Sequence, residues 1–141
     1  MAVTVKKVTL WRTQVRNKPG ALSGVLAPLA EAGADLQVVM GYHLHGVPDT
    51  AVVEVAPVSG KKATTVAGMV GLTATTIPTL LVQGDNRVGL GHDISQAIAE
   101  AGINITFLVA QVIGTQFSAV IALPDKAAAR QATTLIKKAA K

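Results

Sequence analysis

The chain contains no cysteine, which excludes a disulfide framework, a thiolate nucleophile and a cysteine-based zinc ribbon. Aromatic residues are almost missing: Trp11, Tyr42, Phe107 and Phe117 are all there are. The core must therefore be built from Val, Leu, Ile and Ala. Charge is sparse as well, at 15% of residues, while half the residues are hydrophobic. That is not the composition of a disordered segment, which cannot bury enough apolar surface to order itself. No apolar run approaches the roughly 18 residues needed to span a bilayer. Lys6 and Lys7 have no apolar h-region behind them, unlike a secretory signal. These absences set the expectation of a soluble, cytoplasmic chain with no membrane partner, sized as one ordinary domain or two small ones of about seventy residues.

What charge there is leans basic, with thirteen Lys and Arg against eight Asp and Glu. Lys6 and Lys7, Lys61 and Lys62, and Lys137, Lys138 and Lys141 fall at expected strand starts and helix ends, where they solubilise. No Arg-rich run or set of stacking aromatics accompanies them, so nucleic acid is not an expected partner.

An internal repeat organises the chain. Asn17–Leu36 (NKPGALSGVLAPLAEAGADL) aligns without a gap on Asn86–Ile105 (NRVGLGHDISQAIAEAGINI), at a constant offset of 69 residues. Six of the twenty pairs are identical, four of them consecutively from Ala30–Gly33 over Ala99–Gly102. That pattern argues duplication. Each copy begins with an apolar strand, Val8–Val15 or Leu80–Gln83, that enters a polar loop with glycine. A helix follows, with Leu22, Val25, Leu26 and Leu29, or Leu90, Ile94, Ala97, Ile98 and Ala101, in one stripe of a 3.6-residue period. Gly33 and Gly102 stand where a positive φ closes a helix cheaply. Pro28, inside the first helix, should cost about 3 kcal/mol or kink it. Leu36–Leu44 with Ala51–Ala56, and Ile105–Ile113 with Phe117–Leu123, read as antiparallel hairpins. Closing helices are expected over Lys61–Val70 and Asp125–Ala140. Leu72–Ile77 then supplies a last strand for the first copy.

This order is the split βαβ, or ferredoxin-like, unit. The fold class is therefore α+β: tandem βαββαβ units, each an antiparallel sheet with helices on one face. The division expected is 1–77 and 78–141. The second copy lacks a last strand after its helix, and Val3–Lys7 aligns on Leu72–Thr76 at the same offset. Residues 2–7 are thus the candidate to complete the second sheet. In Ile105–Ile113 the odd positions Ile105, Phe107, Val109 and Ile113 are expected to face the helices, with Leu108, Ala110 and Val112 on the other face. Both faces are apolar, which points to a covered sheet and a homodimer.

Asn17–Gly20 joins a strand to a helix N-terminus, where free N–H groups and the positive end of the dipole suit a carboxylate or phosphate. Asn17 adds an amide that both donates and accepts, as an amino-acid zwitterion requires. The same residues also make an ordinary turn, with Pro19 presetting φ and Gly20 relieving sterics.

Asn-x-Pro-Gly-x-Leu after an apolar strand, then Ala-Glu-Ala-Gly, then Ala-Asp-Leu or Ile-Asn-Ile, resembles the ACT domain, a ferredoxin-like regulatory module found as tandem copies. The resemblance covers nearly the whole chain, twice. It implies an amino-acid effector bound between paired modules, at the first loop of one and the second-strand start of another. Carried to this chain, it implies Asn17, Gly20 and Ala21 with Asp35 and Leu36 in the first copy. In the second it implies Asn86, Gly89 and Leu90 with Asn104 and Ile105. Val88 stands where the family has Pro, Gly91 where it has a core Leu, and Asp35 where the second copy keeps Asn. The expected function is a non-catalytic regulator that binds an amino acid or similar small metabolite and signals to a separate partner, an enzyme or regulator on another chain. No cofactor is expected.

Two other readings compete. One is a ligand-free protein–protein interaction module on the same fold. The other is an RNA-binding ferredoxin-like protein, which would need stacking aromatics that only Phe107, Phe117 and Tyr42 could supply. No Ser/His/Asp set, paired catalytic carboxylates or phosphate loop with Lys-Ser/Thr is present, so the chain is not expected to be an enzyme. His43 and His45 share a strand face beside a turn, with Asp49 near in sequence and His92 in the second loop. His43 and His45 are expected to be partly exposed imidazoles beside the hairpin turn, and no metal is expected.

Overall fold

A computed structural model describes residues 3–141 of the chain. In order along the chain the elements are β1 (Val3–Val8), β2 (Trp11–Arg16), α1 (Ala21–Glu31), β3 (Val38–His43), β4 (Thr50–Ala56) and α2 (Lys61–Met69). They continue with β5 (Thr73–Ala74), β6 (Thr79–Asp85), α3 (Leu90–Glu100), β7 (Phe107–Ile113), β8 (Gln116–Ala122) and α4 (Lys126–Ala139). The architecture is α+β, with two four-stranded antiparallel sheets in orders β3-β4-β2-β5 and β1-β6-β8-β7. Each is one ferredoxin-like unit.

The units are residues 9–76 and residues 3–8 joined to 77–141. The boundary thus differs from the expected 1–77 and 78–141. The reason is a ladder of six residue pairs, from Val3 opposite Gly84 to Val8 opposite Thr79, which places β1 at the edge of the second copy's sheet. Residue 2 lies outside the described residues. The strand read over Val8–Val15 is β2, which starts three residues later, at Trp11, while Val8 is the last residue of β1 in the other sheet.

In the 9–76 unit, Val25 and Leu29 of α1, Ala67 of α2 and Val53 and Val55 of β4 form the core. Leu22, at the exposed end of the α1 stripe, lies over Gly41 of β3. Pro28 forfeits the bond to the Gly24 carbonyl, yet α1 ends only three residues later, at Glu31. One lost bond near the end is therefore tolerated.

In the other unit, Leu80 and Val82 of β6 and Phe117, Ala119 and Ile121 of β8 pack on Leu90, Ile94 and Ile98 of α3 and the alanine face of α4. The pairing corrects the expected face of β7. Leu108, Val112 and Ala110 lie opposite Ile121, Phe117 and Ala119, and cross-strand partners share a face. The even positions of β7 are therefore on the helix side, and Phe107, Val109 and Ile113 on the other. β7 is an edge strand, so both sets remain largely exposed: Val109 at 51%, Val112 at 48% and Ile113 at 68%.

Candidate functional site

Two strand-to-helix loops, one per unit, carry the candidate residues. In each, the asparagine follows the strand that leads into the first helix of its copy, β2 or β6, and donates its backbone N–H to the neighbouring hairpin: Asn17 to the Asp49 carbonyl and Asn86 to the Thr115 carbonyl, at 2.8 and 2.9 Å. A tight turn follows, closed by Ala21 N–H to the Lys18 carbonyl and by Leu90 N–H to the Arg87 carbonyl. Gly20 and Gly89 then cap the helices in left-handed backbone, with φ of 86° and 81°. A side chain there would be strained, which explains glycine at both positions. No side chain caps either helix; the turn takes the Ala21 and Leu90 N–H groups, so those that follow, of Leu22 and Ser23 and of Gly91 and His92, are the ones open to an anionic ligand.

The loops differ in what surrounds them. The first has no acidic residue in the first turn of α1. In the second, Arg87 donates to the Asp93 carboxylate at 2.7 Å and to the Ala139 carbonyl at the end of α4, also at 2.7 Å. His92 sits 3.3 Å from the other oxygen of Asp93. Hydrogen bonds from Arg87 and then His92 hold the Asp93 carboxyl below its ordinary value. The position equivalent to Asp93 in the first copy is Gly24, so this brace belongs to the second loop alone.

Asp35 and Asn104 fall in the turns that follow α1 and α3, and both are exposed. Leu36 and Ile105, next along the chain, pack against the two cores. Within one unit the helix separates them from the loop: an eleven-residue helix spans about 16 Å at 1.5 Å per residue. The structure therefore does not bring Asn17 and Asp35, or Asn86 and Asn104, together inside a unit. Asp35 instead lines an open cleft of about 470 Å³ with Gly33, Ser59, Gly60, Lys61 and Lys62, at the N-terminus of α2.

A polar cluster on the first sheet escaped sequence reasoning. Glu54 of β4 is buried, accepts a hydrogen bond from the Tyr42 hydroxyl at 3.0 Å, and lies 4.0 Å from Nε of Arg12. Burial first, and then the bond to Glu54, raise the Tyr42 hydroxyl above its ordinary value, with Arg12 opposing. The signal available was a glutamate inside the apolar run Val52–Ala56, where a charge is found only if partnered. The brace at Arg87 had no such signal, because its partner carbonyl lies fifty-two residues away. Among the described residues no three His, Asp or Glu side chains converge as a metal site, and no helix is long and apolar enough to cross a membrane.

No protein-family model matches the chain, and no curated protein matches it. Solved structures do. A Bacteroides thetaiotaomicron protein superposes with a TM-score of 0.74 at 14% identity, over 95% of this chain and 89% of its own. The ligand-free regulatory subunit of aspartate kinase from Thermus thermophilus gives 0.68 at 17% identity, over 100% of this chain and 98% of its own. The corresponding subunit from Thermus flavus gives 0.65 at 18%, with the same coverage. At such identities the likeness carries the fold. Two sheets of one strand order, each with a glycine-capped loop in register, and neighbours that span almost the entire chain lead to one conclusion: the protein has the ACT-domain fold in tandem.

Proposed function

We propose that the protein is a non-catalytic regulator that binds an amino acid or similar small metabolite at its glycine-capped loops and acts on a separate partner chain. The observation that carries this reading is the pair of matched loops. Each presents an asparagine anchored to a hairpin, a left-handed glycine and an uncapped helix N-terminus. These groups suit a zwitterion: open N–H groups for its carboxylate and an asparagine amide for its ammonium. Asn17, Gly20 and Ala21 would hold the ligand in one copy and Asn86, Gly89 and Leu90 in the other. Asp35 with Leu36, and Asn104 with Ile105, would come from a facing module. The regulatory subunits among the structural neighbours support the reading.

A thermal-shift panel of the twenty amino acids tests it. A ligand that binds only the native state adds about 2.7 kcal/mol at a hundredfold excess over Kd, and Asn17→Ala should remove that response. If no amino acid shifts the melting, the sensor reading fails.

β7 favours a second reading that is compatible with the first. Its seven residues carry no charge and lie at a sheet edge with apolar side chains exposed. Soluble monomers guard such an edge with charge, proline or a bulge. We infer that β7 pairs with a second copy of the chain to give a homodimer. Light scattering should give twice the mass of one chain, and Val109→Lys should halve it. A single-chain mass in the unmutated protein overturns the dimer.

A further inference from the structure

We propose that His43 and His45 form a two-imidazole chelate for a borderline divalent transition metal such as Ni²⁺, Cu²⁺ or Zn²⁺. Their ring centres are 5.9 Å apart with the planes at 62°, and both residues are exposed. Neither ring makes a hydrogen bond or ion pair with any described residue. His92, in contrast, faces the Asp93 carboxylate at 3.3 Å. Of the three histidines in the chain, two thus stand side by side with their ring nitrogens unengaged by any described residue.

The distance suits a shared ion. A metal–nitrogen bond of about 2.0–2.1 Å puts each ring centre roughly 3 Å from the metal, so two rings at a tetrahedral angle have centres about 5 Å apart. Small side-chain rotations close the remaining gap, and on an exposed hairpin nothing packed opposes them.

The backbone beneath the pair is fixed. His43 lies opposite Ala51 in the β3–β4 ladder. Leu44 donates to the Thr50 carbonyl at 3.0 Å, and the turn is tied at Asp49 to Asn17. His43 ends β3 and His45 falls in the turn that follows rather than on the same strand, so the pair stands on backbone tied on both sides before any metal arrives. Imidazole ligands suit nickel, copper and zinc, while magnesium and calcium prefer oxygen. With no third ligand converging among the described residues, the other coordination positions would be filled by water. The site stands at the end of the hairpin that anchors the first loop, and the proposal does not depend on what that loop binds.

The test is calorimetric titration of the untagged full chain with Ni²⁺, Cu²⁺, Zn²⁺ and Mg²⁺. One equivalent of Ni²⁺ should bind saturably, Cu²⁺ more tightly than Ni²⁺ or Zn²⁺, and Mg²⁺ not at all. His43→Gln and His45→Gln should each abolish saturable Ni²⁺ binding while leaving the thermal melt unchanged. His92→Gln should bind as the unmutated chain does. Absence of saturable binding in the unmutated chain overturns the proposal, as does binding that survives His43→Gln or is lost in His92→Gln.

Discussion

The unit of residues 9–76 and the unit formed by 3–8 with 77–141 share a strand order, yet among the described residues the second buries eighteen hydrophobic side chains and the first eleven. The closing strands differ in the same sense. β1 pairs with β6 over six residues, whereas β5 pairs with β2 over two. The closing helices follow suit. α4 runs for fourteen residues, begins at Asp125, whose carboxylate accepts from Ala128 N–H at 2.7 Å, and ends with Lys137 and Lys138. The Asp125 cap and the last-turn lysines complement its dipole, with Lys126 at the first position opposing. α2 has nine residues, no side-chain cap, and Lys61 and Lys62 in its first turn, where cations oppose the positive end. One topology has been completed firmly in one unit and sparsely in the other. The loops divide along the same line, braced by Arg87 in the firm unit and unbraced in the sparse one. A ligand that orders the open loop has more to gain in the sparse unit.

The largest effect that would break this comparison comes from removing residues 1–8. The second sheet would lose an entire edge strand and expose β6, so cooperative melting of residues 77–141 should disappear, and far-ultraviolet circular dichroism would record it. An unchanged melt would show that β1 contributes nothing to that unit. Next in size is a matched pair. Leu29 and Ile98 are repeat equivalents, each fully buried, and Leu29→Ala and Ile98→Ala should each cost about 2–5 kcal/mol in denaturant titrations. The Leu29 variant should unfold residues 9–76 at the lower denaturant concentration, since that unit starts with the smaller core.

Smaller changes sharpen the contrast between the closing helices. Asp125→Ala should destabilise the firm unit by about 1 kcal/mol through loss of its cap. Lys61→Glu should stabilise the sparse one by about 0.3–1 kcal/mol by reversing the charge at the positive end of α2. Both are readable as shifts in denaturation midpoint. The smallest effect concerns Asp93. Its carboxyl titrates below the ordinary value in the folded chain. The stabilisation is therefore complete above the unfolded value and is lost as pH falls through the lower, folded one. Protection of the Asn86–Gly89 amides, measured relative to their intrinsic exchange rate at each pH, should fall across that acid range, and Asp93→Asn should remove that fall.

Much of this architecture was legible in the sequence, because the repeat between Asn17–Leu36 and Asn86–Ile105 sets the same order of elements in both units. The helices were readable wherever a stripe faced one core, as in Leu90, Ile94 and Ile98. β7 was misread for a physical reason. Leu108, Val109, Ala110, Val112 and Ile113 are apolar on both faces, so alternation carries no information about which side meets the helices. The break between β1 and β2 was placed before Val8 rather than at Thr9 and Leu10, which hold neither glycine nor proline although the chain changes sheets there. At the candidate site, the glycine caps and the asparagines could be found from local pattern alone. Arg87 with the Ala139 carbonyl, and Glu54 with Tyr42, could not, because each contact joins residues that only the folded chain brings together.

Native-state hydrogen exchange followed by mass spectrometry tests the unequal finish of the two units most directly. Exchange reports the free energy of local opening segment by segment. The amides of β6, β8 and α4 should remain protected well after those of β2, β4 and α2 have exchanged, and β1 should keep pace with β6. Uniform exchange across both units, or earlier exchange in residues 77–141 than in 9–76, would contradict the account.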